Sequence, residues 1–79
     1  MQGRARILLA TRVRMLRARY GWSQERLAEV SGLHRNYIGH IERAELNIGL
    51  DNLERLACAF DVSVAEMLLD GGMEQGDRR

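Results

Sequence analysis

Apolar residues recur every three or four positions along most of this chain: Leu9, Val13, Leu16 and Tyr20, then Leu27 and Ala28, Ile38 and Ile41, Leu53, Leu56, Ala57 and Phe60, and lastly Val64, Met67 and Leu68. That interval is the helical one, so each group predicts a helix with one buried side. The punctuation between the groups agrees. A first helix is expected from about Arg4 to Tyr20, closed by Gly21 as a left-handed cap after a frayed start at Met1 to Gly3. Ser23 caps the second helix at its N-terminus, with Trp22 before it clamped on Leu27. Gly32 takes the positive φ that turns the chain, and Leu33 plugs the corner before a third helix. Asp51 with Glu54, and Ser63 with Glu66, form capping boxes for a fourth helix, LERLACAF, and a fifth, VAEMLL. The expectation is an all-α domain of five helices over residues 1–70. The final stretch 71–79, GGMEQGDRR, lacks periodicity and is expected to be a mobile tail.

The segment QERLAEVSGLHRNYIGHIER, Gln24 to Arg43, organises the rest. Ala28 is small enough for a second helix to cross the first closely, and the turn at Gly32 is short. In the second helix of this pair, Ile38 and Ile41 fall on one side, while Asn36, Gly39, His40 and Arg43 fall on the other at about 100° per residue. That other side carries no aliphatic group. A helix of this width enters the major groove of DNA, where such side chains reach base edges or phosphates.

Composition refines this picture without changing it. At 79 residues the chain makes one domain whose own core is marginal, which favours a homodimer. A single cysteine, Cys58, excludes an internal disulfide and is assigned to packing; no Cys and His spacing suggests a metal, and no cofactor is expected. No apolar run approaches the ~18 residues that span a membrane and no signal-peptide pattern opens the chain, so a cytoplasmic protein without membrane contact is expected. The net charge of +1 conceals an asymmetry: residues 1–43 carry nine Arg against Glu25, Glu29 and Glu42, for +6, and residues 44–79 carry −5. The basic half holds the helix pair, which suits phosphates on that side only. Paired catalytic carboxylates, a nucleophile with a base, and a metal set are all lacking, so an enzyme is not expected.

The framework Leu27, Ala28, Gly32, Leu33, Ile38 and Ile41 resembles the helix-turn-helix of the Cro and phage-repressor family, which implies a lambda-repressor-like DNA-binding domain. The longer run GLHRNYIGHIERAELNIGLDNLERLA is similar to the controller proteins of restriction-modification systems. The likeness covers residues 9 to 69. It implies a dimer that binds paired half-sites upstream of its own gene and the endonuclease gene, activating at low occupancy and repressing at high, with RNA polymerase as a further partner. It also implies that Arg17 pairs with Glu42, tying the first helix to the end of the third. Ala44 departs from the Gly commonly found after Glu-Arg.

Individual roles follow from both sources. Arg35, in the first turn of the recognition helix, presents two donors that match guanine N7 and O6 and is the leading base reader. Asn36 suits adenine or a phosphate, and the Tyr37 hydroxyl a phosphate or base edge while its ring packs by Ile41. Gly39 permits close approach to DNA. His40 and Arg43 are expected to meet the backbone, and so, by resemblance, is Asn47. Gln24 sits where a helix N-terminus nears a phosphate, its amide bracing a recognition side chain. Arg12 and Arg19 face outward. His34 is a weaker N-cap than Ser, Thr or Asp. Phe60, Val62, Val64, Met67 and Leu68 offer surplus apolar surface and are expected at the dimer interface. Two other readings stand beside the controller: a phage-type or antitoxin repressor, and a protein-interaction module on a helix-turn-helix scaffold.

Overall fold

The computed structural model describes residues 3–69. Within them five helices follow in order: α1 Arg4–Tyr20, α2 Gln24–Ser31, α3 Arg35–Glu42, α4 Leu50–Phe60 and α5 Val64–Met67. The expected five-helix, all-α architecture is present. The stretch 71–79, expected to be a mobile tail, lies outside the described residues.

Helix ends follow local chemistry. Gly21 closes α1 at φ 71°, with its N–H on the Ala18 carbonyl and the Trp22 N–H on that of Arg17, both at 3.0 Å. Gly32 closes α2 at φ 78°, which only a residue without Cβ adopts freely. Ser23 Oγ accepts the Arg26 N–H at 3.0 Å as the N-cap of α2, and Ser63 with Glu66 forms the full capping box of α5. The α4 start differs from expectation: Gly49 is its N-cap and Asp51 already lies in the first turn. Asp51 therefore acts on the positive end of the helix dipole as a charge and not as a cap.

The apolar side chains of all five helices meet in one core of Leu9, Val13, Leu16, Leu27, Ile38, Ile41, Leu53, Leu56, Ala57, Phe60 and Met67. α1 lies against α3 and α5, α2 against α3 and α4, and α4 against α5. Every helix thus shares in positioning the α2–α3 pair, and α3 is wedged between α1 and α2. At the far end, the rings of Tyr20, Trp22 and Phe60 stack with centroids 4.5 to 5.8 Å apart, and the Tyr20 hydroxyl donates to the Phe60 carbonyl at 2.7 Å.

Three expectations are corrected by burial and one by helix length. Phe60 and Met67 are 1% and 0% exposed within the single subunit, so the monomer core uses them and neither lies on an outer face. Periodicity marks a residue as apolar-facing but does not say which neighbour it faces. Arg12 is buried on α1's inner side at 9% exposure, not turned outward, since the aliphatic stem of an arginine can be buried on apolar surface. Cys58 is exposed on α4 instead of packed. Finally, α5 is a single turn, and Leu68 and Leu69 follow it 39% and 47% exposed.

Candidate nucleic-acid interface

The α2–α3 pair is anchored from beneath. Ile38 and Ile41 are sunk in the core, which turns the opposite side of α3 to solvent. Its C-terminal end is held by Glu42, almost fully buried, whose carboxylate accepts from Arg17 Nε at 2.6 Å, Arg17 Nη2 at 3.0 Å and Gln24 Nε2 at 2.9 Å. Arg17 Nη1 also donates to the Trp22 carbonyl at 2.9 Å, and Arg14 donates to the Glu42 carbonyl. The expected Arg17–Glu42 pair is therefore present and wider than expected, since one carboxylate joins α1, α2 and α3. The hydrogen bond and charge of Glu42 hold the Arg17 guanidinium above its ordinary pKa, against the opposing effect of burial. Gln24 braces this carboxylate and not a recognition side chain.

On the solvent side, Gln24, Arg35, Asn36, Gly39, His40 and Arg43 line one shallow polar depression between the start of α2 and the outer face of α3. Six of the eight residues assigned from sequence to DNA contact are thereby brought together. Asn47 stands apart, exposed on the loop after α3. Tyr37 sits at the edge, half-buried, with its ring against the core. Its hydroxyl accepts from Asn52 Nδ2 on α4 at 3.0 Å, which fixes the ring and leaves the phenolic proton to be donated.

Arg35 projects at the front of α3, its Nε donating to Glu25 Oε2 at 2.6 Å. The terminal nitrogens of the fork carry the remaining donors. The Glu25 carboxyl is held below its usual pKa, first by the backbone N–H at its own position and then by Arg35. Both groups are solvent-exposed, so screening makes the pair easy to exchange for another acceptor. His34, expected as the weaker N-cap, does cap α3: its Nδ1 accepts the Asn36 N–H at 3.0 Å, using the lone pair of that ring nitrogen.

Gly39 is buried, contrary to the expectation of a bare spot facing the ligand, because the Arg43 guanidinium lies over it. Arg43 Nε and His40 Nδ1 both contact Glu45 Oε1, at 3.1 and 3.0 Å. Their hydrogen bonds, His40 first and Arg43 second, lower the Glu45 carboxyl pKa. Sequence reading missed Glu25, Glu45 and Asn52. Glu25 was counted only as opposing charge in the basic segment and Glu45 only as one charge of the acidic half, and Asn52 belongs to a helix that periodicity assigned to the core. Among the described residues, no group of His, Cys, Asp and Glu side chains could hold a metal, and no helix is long and apolar enough to cross a membrane.

Residues 13–67 match the model of the helix-turn-helix family HTH_3. The chain is 44% identical over 64 residues to a Neisseria meningitidis protein named a hypothetical transcription factor, of whose length it spans 60%. It is 49% identical over 71 residues to the control protein C.SmaI of Serratia marcescens, covering 87% of this chain and 84% of that one. The crystal structure of the restriction-modification controller protein C.AhdI from Aeromonas hydrophila superposes with a TM-score of 0.75 at 42% identity, over 78% of this chain and 94% of the other. With a family match over most of its length, and with the helix pair and polar face described above, the chain belongs to the helix-turn-helix family HTH_3 of DNA-binding transcription regulators.

Proposed function

We propose that this protein is a homodimeric, sequence-specific regulator of a restriction-modification operon, acting in the cytoplasm on a pseudo-palindromic operator upstream of its own gene. The observation that carries the reading is the single polar depression in which Arg35, Asn36, His40 and Arg43 stand together on the exposed face of α3. Arg35 enters the groove first and reads guanine through its terminal nitrogens, with Asn36 beside it on a base or phosphate. Tyr37, held by Asn52, donates its hydroxyl to the backbone, and Asn47 and His40 flank it there. The charge division favours this docking, since the helix pair lies in the half of the sequence, residues 1–43, that carries +6.

The operon assignment draws on C.SmaI, named a control protein, and on C.AhdI, named a restriction-modification controller. Dimerisation is favoured by Leu68 and Leu69, exposed after α5, and by half-buried Val62 and Val64 beside them. A dimer of this class sets its two recognition helices about 34 Å apart, one turn of the duplex. RNA polymerase is the partner through which activation would be exerted. The reading is tested by titrating the protein with a duplex drawn from the region upstream of its own gene, across a range of salt, alongside footprinting. Protection of two related half-sites, with affinity falling steeply as salt rises, is expected. Failure to bind any duplex at low ionic strength overturns the reading in favour of a protein-interaction module.

A further inference from the structure

We propose that Arg43 is a second base reader, and that Glu45 is a positioning residue that holds the Arg43 guanidinium in reading geometry over Gly39. The inference rests on the DNA-binding reading above and assigns Arg43 a task different from the backbone contact expected from sequence.

Arg43 is the C-cap of α3, on the same side as Asn36, Gly39 and His40. A helical side chain leans toward the N-terminus of its helix, so the guanidinium travels back one turn. There it rests where a side chain at position 39 would be. A Cβ on Gly39 would lie 3.2 Å from Nη1 and 3.7 Å from Nη2 of Arg43. The missing side chain thus makes a seat for a flat cation, and this seat lies in the polar depression with Arg35 and Asn36.

The opposite edge of the guanidinium is fixed from behind. Ala44 adopts φ 60°, its N–H bonds the Ile41 carbonyl and the Glu45 N–H bonds the His40 carbonyl, each at 3.0 Å. This is the two-bond turn that closes a helix through a left-handed residue. Here it carries Glu45 back over the end of α3. The Glu45 carboxylate then takes Arg43 Nε at 3.1 Å and His40 Nδ1 at 3.0 Å, while His40 Nδ1 lies 3.4 Å from Arg43 Nη2. With Nε engaged by Glu45, Nη1 and Nη2, both lying over Gly39, carry the donors left for a ligand, and two side-by-side donors are what guanine N7 and O6 accept.

Two physical points separate this role from a phosphate contact. A phosphate is held well by any cation placed near it, and a fixed carboxylate beside that cation only weakens the attraction. A base edge demands orientation; the Arg43–Glu45 pair is as exposed as Arg35–Glu25, but the seat over Gly39 and the second contact of Glu45 to His40 restrict this fork further, so it loses less freedom when it docks. Glu45 therefore lowers the general pull of this surface on DNA while sharpening its aim.

The test begins by selecting duplexes from a randomised pool with the wild-type protein. The selected duplex, each single-base-pair variant of it, and an unrelated duplex of equal length are then titrated at several salt concentrations against wild type, Arg43→Lys, Arg43→Ala, Glu45→Gln and Gly39→Ala. Thermal melts confirm that each variant is folded; Arg43 and Glu45 are exposed, so their variants report on binding even if Gly39→Ala does not fold. Expected for Arg43→Lys and Glu45→Gln is a loss of about tenfold in preference at one symmetry-related base pair, with other positions retained and the salt slope unchanged for Arg43→Lys. The proposal is overturned if Arg43→Lys binds all duplexes as wild type does while Arg43→Ala weakens all of them equally. Equal strengthening on every duplex by Glu45→Gln overturns it too. A wild type that selects no sequence sinks the underlying DNA-binding reading instead, a result distinct from either.

Discussion

Arg17 on α1 and Glu42 at the end of α3 share two hydrogen bonds, Nε to Oε2 at 2.6 Å and Nη2 to Oε1 at 3.0 Å, across 25 positions of sequence. Glu42 is nearly enclosed, so its carboxylate oxygens are satisfied by these donors and by Gln24 in place of water. Replacing Arg17 with Ala would leave a buried carboxylate with one neutral donor, and is expected to destabilise the fold by about 3 kcal/mol. Urea denaturation followed by far-ultraviolet circular dichroism measures it. A change within about 0.5 kcal/mol would show that the pair contributes nothing net to folding.

Arg35→Ala is expected to weaken binding to the operator by about 1 to 3 kcal/mol and to relax preference at one base pair. Competition titrations with single-base-pair variants of the operator provide the measurement. A uniform loss across all sequences, with a shallower salt slope, would make Arg35 a phosphate contact.

Ala44 holds φ 60° without the freedom of glycine. Ala44→Gly removes the strain of a Cβ in the left-handed region but gives the unfolded chain more freedom, and the strain is the larger effect. A net stabilisation of about 0.5 to 1 kcal/mol is expected, read as a higher denaturation midpoint. Ala44→Val, branched at Cβ, should move the midpoint in the other direction.

The outer and inner apolar residues of the C-terminal region separate in their effects. Replacing Leu68 and Leu69 together with Glu should shift the sedimentation profile to the monomer while the circular dichroism spectrum stays native. Phe60→Ala should instead cost about 3 to 5 kcal/mol of folding stability, since it empties a filled core site. A Leu68 and Leu69 double variant that remains dimeric would place the interface elsewhere.

Acidification should loosen the carboxylate contacts around α3. The Glu25 carboxyl is lowered from its usual 4.5, first by its own backbone N–H and then by Arg35, and Glu45 is lowered by His40 and Arg43. A carboxyl whose folded pKa is depressed adds stability that is complete above the usual value and disappears as pH falls through the folded one. Urea midpoints should therefore decline below pH 4.5. The Glu25→Gln, Glu45→Gln double variant should show a smaller decline, and an unchanged slope would show the contacts to be equally present in the unfolded chain.

Helix number, the turn at Gly32, the cap at Ser23 and the outward face of α3 were all legible in the sequence, because each depends on residues a few positions apart. The Arg17–Glu42 pair was reached only through family resemblance, as nothing local links those positions. What periodicity could not give is which apolar surface is left over: Phe60 and Met67 look the same as Leu68 in a helical pattern, yet the first two close the core. The gathering of Gln24, Arg35, Asn36, Gly39, His40 and Arg43 was expected in substance. The carboxylates among them were not, because Glu25 lies ten residues before Arg35, and Glu45 reaches back only through the left-handed Ala44.

The aromatic stack of Tyr20, Trp22 and Phe60 has a practical corollary. Trp22 is the sole indole of the chain, and its neighbours come from the end of α1 and the end of α4. Its intrinsic emission is thus an optical gauge of that junction, needing no label. Separation of the two helix ends would wet the indole and shift its spectrum to the red, so loss of this contact can be timed on its own against loss of helical signal.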